Sequence, residues 1–121
     1  MLKVYALATC DACRKAVKWL EARGTKFEVC AIRETPPPLP ELQRMLAAQG
    51  GAIRKLCNTS GREYRELKLG EKLPAMADAD VLALLAGNGN LVKRPFVIGP
   101  KVALVGFDPE VWAEIIPAPK R

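Results

Sequence analysis

The chain has 121 residues, half of them hydrophobic and 26% charged, with a net charge of +6. That length and apolar share predict one domain, residues 1–121, whose core needs no covalent staples. The absence of histidine excludes Ser-His and Cys-His catalysis, and the 19 Lys and Arg are scattered, so direct nucleic-acid binding is not expected.

Lys3-Val4-Tyr5-Ala6-Leu7 reads as a buried strand, and Cys13, Ala16, Val17 and Leu20 then recur at the spacing of one helix face. Thr9-Cys10-Asp11-Ala12-Cys13 sits at the handover between them. A thiol there faces the unpaired N–H groups and the positive dipole end of a first helical turn, which favour thiolate, the nucleophilic form. Cys13, one turn along, is close enough to form a disulfide with an oxidised or attacked Cys10. It also lies on the apolar stripe, so it reads either as a resolving thiol or as a small buried hydrophobe. A zinc tetrad is a poor match, because Cys30 and Cys57 are isolated and there is no histidine to complete it; no metal is expected.

The helix should run to about Arg23 and stop at Gly24, a residue suited to the left-handed cap. Arg14, Lys15, Lys18 and Glu21 form its solvated face, and Arg14 is also placed to hold a thiolate or an anionic substrate. Lys26–Ile32 alternates as a second strand, parallel to the first in a right-handed βαβ unit, with Cys30 as a buried packing residue. Glu34-Thr35-Pro36-Pro37-Pro38 is a loop, since three prolines remove three donors. A helix restarts at Leu39-Pro40-Glu41, with Leu42, Met45 and Leu46 on one face, and ends near Gly50-Gly51.

Asn58-Thr59-Ser60-Gly61 reads as a turn cluster able to cap a short helix through Tyr64 and Leu67. Asp78 opens a further helix carrying Val81, Leu82 and Leu85, closed by Gly87-Asn88-Gly89-Asn90. Residues 39–90 thus form a helical insertion. A strand beginning at Pro95 and a strand over Lys101–Val105 make an antiparallel hairpin. Asp108-Pro109-Glu110 then starts a last helix with Val111, Trp112, Ile115 and Ile116, and the tail 117–121 should fray. The order predicts an α/β, thioredoxin-like βαβ…ββα mixed sheet. Four cysteines without framework spacing, no apolar h-region after Met1 and no apolar run near about 18 residues point to a cytoplasmic protein with reduced thiols and no membrane contact.

Four motifs coincide in order: Cys10-Asp11-Ala12-Cys13-Arg14-Lys15-Ala16, Asn58-Thr59-Ser60-Gly61 before Tyr64, Leu91-Val92-Lys93-Arg94-Pro95, and Val105-Gly106-Phe107. Over essentially its whole length the sequence resembles the arsenate reductase ArsC/Spx family. The resemblance implies a thioredoxin-like fold with a helical insertion and a cis bond before Pro95, which would face the N-terminal cysteine. It makes Cys10 the catalytic cysteine and Arg94 an oxyanion-binding arginine. Cys10, Cys13 and Arg94 are then the catalytic candidates, with Arg14, Ser60 and Pro95 around the substrate.

Two departures qualify the likeness. Glutathione-dependent arsenate reductases of the family are expected to place three arginines around the nucleophile, whereas Ser60 and Gly106 stand at two of those positions here. Conversely, Cys13 resembles the two-cysteine switch of Spx-type regulators. The sequence also resembles the family's uncharacterised reductase-like branch, and that likeness implies a thiol-dependent reductase with no bound cofactor, glutathione as co-substrate and glutaredoxin as a further partner. Its alternatives are an arsenate reductase and an Spx-like redox-sensing regulator that docks RNA polymerase.

Overall fold

Alternation along short strands divides the molecule into two cores on opposite faces of one sheet. The computed structural model describes residues 1–116; the tail expected to fray lies outside the described residues. The strands are β1 (Leu2–Ala6), β2 (Phe27–Ala31), β3 (Phe96–Gly99) and β4 (Val102–Val105). They are ordered β2-β1-β3-β4, with β2 parallel to β1 and the other two pairings antiparallel. This is the thioredoxin-like mixed sheet that the order of elements predicted.

Leu2, Val4, Ala6, Val97, Val102 and Leu104 face one core, and Tyr5, Phe96 and Ile98 face the other. The first core is roofed by α1 (Asp11–Arg23) and α6 (Pro109–Ile115), which contribute Cys13, Ala16, Leu20 and Trp112. Leu20 is fully buried, a contribution of roughly 1.5–3 kcal/mol. Trp112 packs edge-on against Trp19 and Phe107 and donates its indole N–H to the Gly106 carbonyl at 3.2 Å. Gly24 ends α1 at φ 71°, its N–H bonded to the Glu21 and Leu20 carbonyls. Asp108 caps α6 by accepting from the N–H groups of Glu110 and Val111, with Pro109 in the first turn.

The second core lies under α2 (Leu39–Ala48), α3 (Arg62–Glu66), α4 (Leu69–Lys72) and α5 (Asp78–Gly87), with Leu42, Met45, Leu82 and Leu85 inside. Tyr5 joins this face to β1: its hydroxyl donates to Glu41 at 2.6 Å, and burial with that hydrogen bond raises the phenol to about 12. None of the helices among the described residues is long and apolar enough to cross a membrane.

The structure corrects several local expectations. The first strand spans Leu2–Ala6 rather than Lys3–Leu7, because the Leu7 carbonyl accepts the Cys10 N–H at 3.0 Å in a turn. The Asn58–Ser60 side chains cap nothing: Gly61 is the N-cap of α3 without a side-chain bond, and the Asn58 amide instead reaches the Asn90 carbonyl at 3.3 Å. The third strand begins at Phe96, not Pro95. Cys30 is half-buried rather than buried, since β2 is an edge strand whose Val29 is 55% exposed. Residues 67–77, which carry no clear period, fold as α4 and a 3-10 turn at Leu73–Ala75.

Of the three 3-10 turns among the described residues, the last, Gly89–Leu91, closes the insertion and leads into an extended run. There the Asn58 N–H donates to Leu91 and the Lys93 N–H to Leu56, each at 2.8 Å, around a Cys57–Val92 bridge. Because Phe96 pairs with Tyr5, this run delivers Arg94 and Pro95 to the end of the sheet where β1 hands over to α1. Both the thiol motif and Arg94 are thus at one edge of the fold.

Candidate functional site

Cys10 is the N-cap of α1, extended at φ −87° and ψ 119°, and its Sγ accepts the Cys13 backbone N–H at 3.4 Å. The sulfur therefore takes the place usually held by a capping oxygen, on the orphan donors of a 13-residue helix. Burial opposes charge on this half-buried thiol. Hydrogen bonds from the Cys13 thiol and backbone N–H, the Arg94 charge and the Ala12 N–H outweigh it and hold Cys10 below the ordinary thiol value.

The neighbouring thiols move the other way. Cys13, 2% exposed, is pushed up to about 12 by burial and by its hydrogen bond and proximity to Cys10. Burial lifts Cys57 to about 11 against the pull of Arg54, and raises Cys30 with help from Glu28. Alkylation rates follow the thiolate fraction, which grows as pH climbs toward each thiol's pKa. Cys10 is accordingly expected to be labelled first at pH 6, with the other three lagging by at least tenfold. Mass-resolved peptide labelling checks this; earlier modification of Cys30 or Cys57 would show that the acidified thiol lies elsewhere.

Arg94 is half-buried, makes no side-chain hydrogen bond to the described residues, and keeps its Nη1 buried without a partner. The Arg94–Pro95 peptide bond is cis, as the resemblance implied, and the Pro95 carbonyl accepts the Gly106 N–H at 2.9 Å. The structure thus brings together Cys10, Cys13 and Arg94, with Pro95 directly following. It leaves Ser60 exposed on its loop. Arg14 is ion-paired to Asp11 on the outer face of α1 and lines a groove of about 520 Å³ with Leu7, Cys13, Val17 and Val29.

Gly106 has a conformational reason for standing where the family's arsenate reductases are expected to carry arginine. Its φ is +72°, and a Cβ there would lie 3.4 Å from Lys93 Cε, so the stem of a lysine already occupies that side. Lys93 belongs to the Leu91–Pro95 motif, whereas sequence reasoning passed over a polar cavity of about 160 Å³ whose lining includes Arg33, Asn58, Arg62, Glu63, Asn90 and Arg94. Asn88-Gly89-Asn90 had read only as a helix stop. A pair of amides flanking a glycine was the available signal.

The model of the ArsC family matches residues 5–115. An uncharacterized protein of Bacillus subtilis strain 168, YusI, is 41% identical over 93% of this chain and 96% of its own. The global transcriptional regulator Spx of Enterococcus faecalis is 28% identical over 100% of this chain and 90% of its own. An arsenate reductase of Rhizobium meliloti is 28% identical over 94% and 80%. Among solved structures, an ArsC family related protein from Bacteroides fragilis superposes with a TM-score of 0.87 at 39% identity, covering 94% of this chain and 97% of that one.

Proposed function

The chain belongs to the ArsC family, and on that footing we propose that it is a thiol-dependent reductase linked to glutathione, with Cys10 as nucleophile and Cys13 as resolving thiol. The observation that carries this reading is the Cys10 sulfur itself, seated on the α1 N-terminus, hydrogen-bonded by Cys13 N–H and acted on by the Arg94 charge. In the first step the Cys10 thiolate attacks the glutathione sulfur of a mixed disulfide. A Cys10–glutathione bond forms, and the substrate thiolate leaves and takes a proton from solvent.

The rise in Cys13 orders the second step. Burial is the main cause of that rise and persists, but the smaller part contributed by the hydrogen bond and charge of Cys10 falls away once Cys10 is tied up in a neutral mixed disulfide, so Cys13 is then easier to deprotonate than in the free dithiol. Cys13 then gives up its proton and attacks Cys10 Sγ, forming the Cys10–Cys13 disulfide and releasing glutathione. Two further glutathiones reduce this disulfide and leave as glutathione disulfide. Glutathione is the co-substrate, glutaredoxin a further thiol partner, and no resident cofactor enters the cycle. A cytoplasmic setting, where glutathione keeps thiols reduced, suits this chemistry.

Arsenate is the poorer substrate in this reading. Attack by a thiolate on an oxyanion brings like charges together, and losing one preorganised donor typically costs on the order of 10²–10³ in rate. Ser60 and Gly106 supply no cation, although Lys93 stands beside Gly106. Turnover of a glutathionylated peptide should therefore exceed that of arsenate by at least about 10²-fold under the same glutathione supply. Ser60→Arg should narrow the gap; Gly106→Arg is a poor companion because its φ strains any side chain. Efficient arsenate reduction by the unaltered protein would instead establish the arsenate reductase reading.

The second reading is a redox-sensing regulator docking RNA polymerase, with the same Cys10–Cys13 disulfide as its switch. It is favoured by the full-length likeness to Spx and by the apolar groove that reaches Cys13. Stoichiometric polymerase subunits in a pull-down, without thiol turnover, would select it.

A further inference from the structure

The polar cavity beside Arg94 holds charges that have been kept apart rather than neutralised. Arg33 and Glu63 both line it, yet they form no ion pair with each other. Asn90 stands between them: its Oδ1 accepts the Arg33 Nε–H at 2.6 Å, and its Nδ2 donates to Glu63 Oε1 at 2.8 Å. The other carboxylate oxygen of Glu63 accepts from the Asn88 amide. Each oxygen of an ionised carboxylate has a second lone pair, so Glu63 keeps acceptor capacity toward the cavity. Hydrogen bonds from Asn88 and Asn90, with Arg33 nearby, hold its carboxyl below the usual range, so it is charged at neutral pH.

On the cationic side, Arg62 is ion-paired to Glu66 on the exposed face of α3, Arg33 uses only its Nε, and the Arg94 guanidinium has a buried Nη1 with no partner among the described residues. Buried guanidinium N–H groups left unpaired are costly and find their natural partner in a carboxylate, which matches their planar fork. The cavity therefore presents donors for a carboxylate and an acceptor for an ammonium, at a spacing fixed by Asn90. About 160 Å³ is the space of a few waters, each taking about 30 Å³ of liquid, and suits one α-amino acid head group. Arg94 lines the cavity and is delivered by the Tyr5–Phe96 register to the end of the sheet where β1 hands over to α1, so a ligand gripped here by its head group extends toward the Cys10 end of the sheet.

Resting on the glutathione-linked reading above, we infer that this cavity binds the free α-amino and α-carboxylate groups of a γ-glutamyl thiol, the carboxylate toward Arg33 and Arg94 and the ammonium toward Glu63. A γ-glutamyl peptide carries that zwitterion through a side-chain amide, several bonds from its thiol. An ordinary N-terminal cysteinyl peptide has no such group and cannot fill the cavity while its sulfur sits at Cys10. Glu63 and Arg33 are then specificity residues for the thiol donor rather than parts of the sulfur chemistry.

Calorimetric titration with S-methylglutathione, which cannot exchange, tests this without reference to turnover. Binding should weaken at least tenfold in Arg33→Met and in Glu63→Gln. S-methyl-cysteinylglycine, which lacks the γ-glutamyl group, should bind weakly and equally to all three proteins. Near-wild-type affinity for S-methylglutathione in both variants, or no binding to the wild type at millimolar ligand, overturns the inference. Equal weakening toward both ligands also overturns it, because it would report a general loss of structure or charge. A wild type that binds S-methylglutathione as described but turns over no glutathionylated substrate leaves the subsite standing and removes the reductase reading.

Discussion

Cys10→Ser is expected to lose thiol turnover by a factor on the order of 10⁴–10⁶ in kcat/KM, the scale seen when a nucleophile is deleted from an otherwise intact site. A hydroxyl at the α1 N-cap still accepts the Cys13 N–H, so the fold should be kept or slightly tightened. The sulfur chemistry has no substitute, because the other thiols are raised to about 12 at Cys13 and about 11 at Cys57. Cys13→Ser should behave differently. Its first step survives, while the mixed disulfide at Cys10 persists and is seen in intact mass as one added glutathione. Cys10→Ser retaining a tenth of the activity would reassign the nucleophile. A Cys13→Ser protein cycling at the wild-type rate would make Cys13 a packing residue only.

Gly89→Ala should be the most damaging single-methyl change in the insertion. A Cβ at position 89 would lie 1.8 Å from the Ile32 carbonyl oxygen, 2.6 Å from its carbon and 3.2 Å from Arg33 Cα. All three are backbone atoms, so no flexible side chain can swing away. The turn at 89–91 must lift off the 32–33 segment, at a cost of about 3 kcal/mol or more. For a chain of this size the melting temperature should fall by roughly 10 °C. Gly87→Ala is the control: a Cβ there meets nothing within 4 Å, so helix propensity alone should leave stability unchanged or raise it by about 0.5–1 kcal/mol. Equal melting of the two variants would contradict the close approach at Gly89. The clash also bears on the candidate subsite, since Asn90 on this turn bonds Arg33 directly.

The elements legible in the sequence were those whose signals are local. Cys10 could be placed at a helix start because a strand-like run and a helical face meet there, and Gly24 and Asp108-Pro109 mark boundaries through their own backbone preferences. Arg94 was reached only through the family likeness. What brings it to Cys10 is the Tyr5–Phe96 register, a long-range fact that no window around residue 94 contains. Gly89 read as a helix stop, and its close contact with Ile32 depends on how two distant segments stack. Asn58 has the composition of a local cap, yet its amide is spent on Asn90, because a tertiary partner outcompeted the local one. The short helices at 69–75 are held by Leu69 and Leu73 in the core rather than by any period.

The separation of the two cores has an evolutionary reading. The thiol helix α1 rests with α6 on one side of the sheet, whereas the insertion packs almost wholly on the other, and the two share strands but not side chains. Substitutions in contact-free regions act nearly additively, so drift in one layer leaves the other undisturbed. Such a partition lets a lineage keep the packing of the α1 layer while it remodels the core of the opposite one. Relatives of this chain that carry names as different as arsenate reductase and global transcriptional regulator are what a fold so divided allows.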